Sequence, residues 1–342
     1  MTERRHANVA LFVPHAGCPH DCCFCNQRVI AGVTKELTPE DVTAACERAL
    51  ATLDDSATAQ IAFFGGSFTA IDAAYRRSLL EAAQPFLQTG RFDGIRISTR
   101  PDCVDDAIAE ELVAYGVTAV ELGAQSMDDR VLMFSGRGHT AADTVRAAAC
   151  IKRHGLSLGL QMMTGLPGDT DEGAMATAKA LAVLSPDTVR VYPTVVLRGT
   201  ALASAFEAGT YVPPTPEGTV ALGARLLHFF EIEQHIPVIR FGLHDGEALR
   251  SDVLGGGYHP ALRELCEGQL YVNTALSVLT HSGPKAKERA VTLSVSPRAV
   301  SKLTGHKGFA VAQLAKAGYT VQVKADNTVP LWDVRVILNG EE

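Results

Sequence analysis

No stretch of the 342-residue sequence comes near the roughly 18 uninterrupted apolar residues of a membrane-spanning helix, so no helical span is expected. The apolar run that follows Arg4 and Arg5 is about seven residues long and stops at Pro14 and His15. It is too short for a signal peptide and reads as a first buried strand, with a cytoplasmic location as the expectation. Positive charge is scarce: 31 Lys and Arg against 38 Asp and Glu leave a net −7, which argues against nucleic acid as a partner of the whole surface. The deficit is uneven, however. Residues 285–342 carry a net +4 and the first 284 residues −11, an acidic body with a basic tail. What the chain does have is apolar content, 46%, enough to fill the core of one large domain and a small one.

Four of the eight cysteines fall in `GCPHDCCFCNQ`: Cys18, Cys22, Cys23 and Cys25. Disulfides are not expected in a large cytosolic chain, and vicinal Cys22 and Cys23 bridge only with strain. A structural zinc site usually needs two separated ligand pairs, and no second Cys/His pair follows, although His15 and His20 could donate nitrogen. A redox C-x-x-C pair through Cys22 and Cys25 leaves Cys18 unexplained. C-x₃-C-x₂-C, with Cys18, Cys22 and Cys25 as ligands, accounts for more. Three thiolates from one loop hold three irons of a 4Fe–4S cluster and leave the fourth open for a ligand. Cys23 is then a spare neighbour and Phe24 a shield.

After this loop, strand and helix alternate about six times over residues 6–245, a pattern that calls for parallel strands with right-handed crossovers. The helix at `TPEDVTAACERALATL` has Thr38 as its N-cap. The expected fold class is α/β, a partial (β/α)₆ TIM-type barrel over 6–245, with chemistry at the C-terminal strand ends. An open doubly wound sheet fits the same pattern. Residues 246–284 read as a connector, and His244 just before it, with His259 and Cys266 inside it, match no metal-ligand spacing. Residues 285–342 read as a small basic α+β domain.

The motif C-x₃-C-x₂-C, with an aromatic before its last Cys, resembles the signature of radical S-adenosylmethionine (radical SAM) enzymes. `TRPD`, `ELGAQS`, `RGHT` and `MMTGLPG` resemble, in the same order, the branch that includes the catalytic subunit of elongator, a tRNA-modifying enzyme. The resemblance implies a 4Fe–4S cluster on Cys18, Cys22 and Cys25. It implies S-adenosyl-L-methionine on its open iron, cleaved to methionine and a 5′-deoxyadenosyl radical, and an electron donor such as flavodoxin or ferredoxin. Gly65, Gly66, Ser67 and Phe68 would receive the methionine amino group. Gln125 and Arg137 would line the cofactor site, the Arg137 guanidinium holding the carboxylate bidentately, and Gly165, Leu166 and Pro167 would lie against the adenine. The family commonly has a ribose-binding glutamate where this chain has Ser98, so Gln161 is the substitute candidate. Arg100 and His139 are cavity-facing candidates without a role. Alternatively Arg100 pairs with Glu121 and His139 caps a helix. The elongator subunit's acetyltransferase domain has no counterpart in the sequence, so acetyl transfer is not implied.

In the tail, `AVTLSV`, `PRAVSKLT`, `GHKG`, `FAVAQLAKAG` and `YTVQVK` give β-α-G-x-x-G-α-β, which resembles the minimal plan of the KH RNA-binding module. Lys302, Gly305, His306, Lys307 and Gly308 are the candidate RNA contacts, and residues 287–324 carry a net +6. A plain helix–turn–helix connection with solvated lysines is the alternative. Together these readings point to a radical SAM enzyme acting on RNA, and the resemblance to the elongator branch implies tRNA. Two other functions remain in view. One is an oxygen-independent coproporphyrinogen III oxidase-like enzyme, although that family has a further Cys where this chain has Gln27. The other is a non-catalytic iron–sulfur RNA-binding protein.

Overall fold

The structure, a computed structural model, describes residues 6–13, 18, 22–26, 35–54, 57–281, 290–305 and 308–338. Strand β1 (His6–Phe12) leads through the cysteine loop to α1 (Pro39–Thr52). Then follow β2 (Thr58–Phe64), α2 (Ala73–Leu87), β3 (Phe92–Thr99), α3 (Asp106–Ala114), β4 (Val117–Gln125), α4 (Asp129–Phe134) and α5 (Ala141–Arg153). The series ends with β5 (Ser157–Thr164), α6 (Asp171–Val183) and β6 (Thr188–Pro193). The sheet is α/β in character, seven parallel strands in the order β1-β2-β3-β4-β5-β6-β8, curled into a half-barrel, where β8 is Val238–Phe241. This agrees with the partial barrel read from the sequence.

Local chemistry sets the element boundaries. Thr38 caps α1 and Asp41 returns a bond to the Thr38 N–H, a full capping box. Thr140 and Asp143 repeat the device on α5. The central strands are apolar on both faces, as parallel strands covered by helices must be: Ile61, Ile95, Ile97, Val120, Leu122, Leu158, Leu160 and Val189 are wholly buried.

One charge sits among them. Glu121 on β4 is wholly buried, accepting from Arg96 on β3 at 2.5 Å and from Arg190 on β6 at 3.2 Å. Position 159 on β5 must be glycine for this, because a Cβ there would lie 2.5 Å from Glu121 Oε2. The sequence alternative of a Glu121–Arg100 pair does not form: Glu121 is neutralised laterally, strand to strand, and Arg100 pairs with Asp102.

Contacts divide the chain into two compact units, Met1–Pro213 with Leu243–Gly256, and Pro214–Gly242 with Gly257–Glu342. The first also holds β7 (Val195–Leu197), α7 (Ala201–Glu207), α9 (Glu247–Asp252) and β9 (Val253–Gly256), β9 pairing antiparallel with β7. The second contains α8 (Pro216–Leu227), β8 and the long α10 (Leu262–His281). Its C-terminal part has β10 (Val291–Val295), α11 (Val300–Thr304), α12 (Phe309–Lys316), β11 (Val321–Ala325) and β12 (Arg335–Leu338). These boundaries differ from 245 and 285. Gly223 on α8 leaves room for the Cys266 thiol of α10, since a Cβ at Gly223 would come within 2.4 Å of it, so α8 packs with the later helix. Cys266 is therefore a core residue. β10 is central, parallel to β11 and antiparallel to β12, and its Val291, Leu293 and Val295 pack with Tyr271, Leu279, Leu303 and Leu314.

Removing Glu121 strands two inward guanidinium groups. Glu121→Ala is expected to lower the unfolding free energy by about 3–5 kcal/mol. Chemical denaturation measures this, and a change below 1 kcal/mol (roughly that of an exposed pair) would show the network to be solvent-relieved.

Candidate active site

The C-terminal strand ends and the cysteine loop enclose one cavity of ≈ 550 Å³. Its lining includes Cys18, Cys22 and Cys25 from the loop, Gly65 and Gly66 after β2, and Ser98, Thr99 and Arg100 at the end of β3. Gly123 and Gln125 of β4, Arg137, and Gln161 and Met163 of β5 complete one side. The three thiols read as ligands thus share a wall with six of the eleven residues assigned to the cofactor.

Cys23 does not line the cavity. Its N–H donates to Ser135 O at 3.0 Å, its carbonyl accepts from the Leu202 N–H at 2.8 Å, and it packs with Val196, Leu202 and Ala203. Burial, with Cys22 adjacent, pushes its thiol up to about 11, so it stays a neutral spacer. A Cys25 N–H to Cys22 O bond of 3.0 Å turns the chain between the other two thiols.

At the end of β2, Gly65 adopts φ +90°, and a Cβ there would sit 2.9 Å from Val13 O. Only glycine allows the backbone to pass so close to the β1 terminus. Ser67 and Phe68 take a different place from that expected. Ser67 is wholly buried, bonded to Thr99 Oγ1 at 2.9 Å and accepting the Arg100 N–H at 3.2 Å, while Phe68 stacks on Phe63 at 4.8 Å. They brace the glycine turn from behind, because an apolar ring and a short hydroxyl find partners in the core. Gly165, Leu166 and Pro167 also lie outside the lining. The Tyr211 hydroxyl donates to Gly165 O at 2.6 Å, and Leu166 packs with Val131 and Met163, so this segment backs the wall.

Arg100 and Arg137 hold each other and leave donors over. Arg100 Nε and Nη2 bind the two Asp102 oxygens at 3.0 Å each, and Nη2 also donates to Arg137 O. Arg137 Nη2 donates to Gly123 O at 2.6 Å and Nη1 to Cys22 Sγ at 3.4 Å. Each terminal nitrogen of Arg137 makes one of these bonds and keeps a second N–H. Arg100 Nη1, Arg137 Nε and Gln125 Oε1 are buried and have no partner among the described residues. Gln125 also carries a left-handed φ of +64°, backbone strain of the kind that persists where a site over-determines it.

These orphan atoms test the cofactor assignment. Two cationic N–H donors and one amide acceptor around the same cavity complement the carboxylate and ammonium of an amino-acid moiety, beside three thiols that suit an iron–sulfur cluster. The residues present fit both groups.

His139 does not face the cavity and caps nothing. It is buried, its Nε2–H donates to Ala124 O at 3.2 Å, and Thr140 is the cap of α5. Burial, then the neighbouring Arg137, depresses its pKa from 6.5 to about 4.

Residues the motifs missed that also line the cavity are Arg190, Tyr192, Leu243 and His244. Arg190 lies over the Phe64 ring at 5.3 Å. The signal was present in `TVRVYP`: Arg190 and Tyr192 alternate with the wholly buried Val189 and Val191.

In the second unit, Gly305 (φ +68°) and Gly308 (φ +79°) turn the chain between α11 and α12, while His306 and Lys307 lie outside the described residues. Lys302 differs from expectation. Its Nζ binds the buried Glu267 at 2.5 Å and sits 5.3 Å over the Trp332 ring, so it holds α11 to α10 instead of presenting a solvated charge.

Comparison with known proteins decides the family. Residues 12–181 match the radical SAM superfamily model and 186–271 the radical SAM C-terminal domain. The chain belongs to the radical SAM superfamily. The superfamily's cofactors are a 4Fe–4S cluster and S-adenosylmethionine, and the protein is a radical SAM enzyme. It is 28% identical over 248 residues to the tRNA uridine(34) acetyltransferase of Dehalococcoides mccartyi, covering 62% of this chain and 53% of that one. It is 27% identical over 201 residues to human Elongator complex protein 3, covering 51% and 37%. This radical SAM chain thus spans about half or less of the length of these curated relatives. Among solved structures, the archaeal Methanocaldococcus infernus Elp3 with an N-terminal deletion superposes with TM-score 0.60 at 21% identity, over 82% of this chain and 64% of that one, a likeness of fold. No helix among the described residues is long and apolar enough to cross a membrane.

His139 supplies a pH test with a defined sign. Its folded pKa lies below its unfolded one, so its contribution is complete above pH 6.5 and is lost as pH falls toward about 4. The drop in denaturation midpoint from pH 7.5 to pH 4.5 should be smaller in His139→Leu than in the wild type. Identical pH dependence in the two would place the acid-sensitive group elsewhere.

Proposed function

We propose that this protein is a radical SAM enzyme that modifies RNA, tRNA in particular, with the half-barrel carrying the chemistry and the G-x-x-G segment holding the nucleic acid. The observation that carries the chemical half is the single cavity uniting Cys18, Cys22 and Cys25 with the unpartnered polar atoms of Arg100, Arg137 and Gln125. Two features support the RNA half. Relatives covering about half of this chain or more are named for tRNA or elongator. The tail also sets two positive-φ glycines between short helices beside a three-stranded sheet.

When bound, the reduced cluster supplies the electron that cleaves S-adenosylmethionine to methionine and a 5′-deoxyadenosyl radical. The chain's own work is binding, orientation and exclusion of water. Cys18, Cys22 and Cys25 would hold the cluster. Arg100 Nη1 and Arg137 Nε would meet the carboxylate, Gln125 Oε1 the ammonium, and the Gly65–Gly66 backbone would pass close to the same moiety. Ser98 and Gln161 are the polar wall groups available to the ribose. Phe12, Phe24, Phe64, Met163, Val195 and Leu197 add apolar surface to the lining, which helps keep water from a reactive species. A low-potential protein of the flavodoxin or ferredoxin kind would deliver the electron.

Anaerobically reconstituted and reduced enzyme given S-adenosylmethionine should release 5′-deoxyadenosine, and Cys22→Ala should abolish it. Gly308→Asp should weaken RNA binding severalfold while leaving that release intact, because the carboxylate would face phosphate at a backbone approach. RNA affinity unchanged in Gly308→Asp would remove the tail from the RNA site.

A further inference from the structure

Arg137 has a set of contacts that cofactor binding alone does not explain. It is 8% exposed, and among the described residues it forms no ion pair with a carboxylate. Instead its guanidinium spans Gly123 O at the end of β4 and Cys22 Sγ on the cysteine loop, at 2.6 and 3.4 Å. The span is fixed from three sides. The Arg137 carbonyl receives Arg100 Nη2, its own N–H donates to Leu132 O at 3.0 Å, and a Cβ at Gly123 would lie 3.2 Å from Nη2. A positive charge is thus held, without an acid partner among the described residues, with an N–H directed at the sulfur of an assigned cluster ligand.

We propose that Arg137 sets the reduction potential of the cluster held at Cys22. This rests on the radical SAM reading above. Reduction adds one electron to the cluster, supplied in the assay by dithionite, and no proton moves. The cluster gains a unit of negative charge that spreads onto its thiolate sulfurs. A cation and an N–H···S bond at one of those sulfurs stabilise the reduced form over the oxidised one and raise the potential. The low-dielectric setting lengthens the reach of that charge. Arg100 differs: two of its nitrogens face Asp102, which neutralises it, and none donates to Cys22 among the bonds it makes. Beside its Nε contact to the carboxylate, Arg137 is therefore a positioning and tuning residue for electron entry, a role Arg100 does not share.

The test is a mediated redox titration of anaerobically reconstituted full-length protein, followed by electron paramagnetic resonance of the reduced cluster, with iron counted in every sample. Arg137→Met should keep four irons and shift the midpoint to more negative potential. Arg137→Lys keeps the charge but cannot span both acceptors, and should fall between it and the wild type. Arg100→Met should shift it less than Arg137→Met. A wild-type midpoint in Arg137→Met at full iron content overturns the proposal. If Arg137→Met loads no cluster, Arg137→Lys decides: a negative shift supports the assignment and an unshifted midpoint overturns it. A wild type without any iron–sulfur cluster would instead fail the radical SAM reading, and the tuning role with it.

Discussion

The architecture of the site depends on one interaction, a buried guanidinium that, among the described residues, bonds backbone and sulfur and no acid. Arg137 bonds the last turn of β4 through Gly123 O and the cysteine loop through Cys22 Sγ. Arg100, arriving from the end of β3, bonds the Arg137 carbonyl and takes Asp102 as its counter-charge. Two strand termini and a loop distant in sequence are thereby drawn to one place. Burying unpaired polar atoms costs stability, and Arg100 Nη1, Arg137 Nε and Gln125 Oε1, without partners among the described residues, carry that cost in residues lining this cavity.

The strand interior solves the opposite problem. Glu121 sits one layer below, wholly buried, and there the charge is closed off by Arg96 and Arg190. Arg190 belongs to both layers, since it also lines the cavity over the Phe64 ring. A fully neutralised layer beneath an under-satisfied one gives the site a rigid floor, and glycines at 65, 123 and 159 keep backbone and charged side chains close enough for both.

Much of this was legible from the sequence for physical reasons. The alternation of apolar strands with capped helices is a local signal, and it yielded the half-barrel directly. Cysteine spacing is equally local, and the three cysteines it groups line one cavity while Cys23 does not. Ser67, Phe68, Leu166 and Pro167 were drawn into the cofactor site because a motif marks a strand end without saying which of its residues face inward. Their burial decides that, and burial is tertiary. The protein partners of the Arg137 fork are hidden from the sequence for a similar reason. Its nearest acceptors, Gly123 O and Cys22 Sγ, come from a backbone carbonyl and a residue 115 positions away. Lys302 looked like a solvated base until the buried Glu267 appeared opposite it. Arg190 and Tyr192 were readable from strand periodicity alone, had alternation been weighed beside motif.

The most direct measurement of the central assignment is electron paramagnetic resonance of the dithionite-reduced, iron-reconstituted protein before and after S-adenosylmethionine is added. The expected result is a 4Fe–4S signal whose g-values shift on addition, because the iron left without a thiolate takes the ligand. A signal unmoved by saturating S-adenosylmethionine, or zinc at the three thiolates in place of iron, would contradict it.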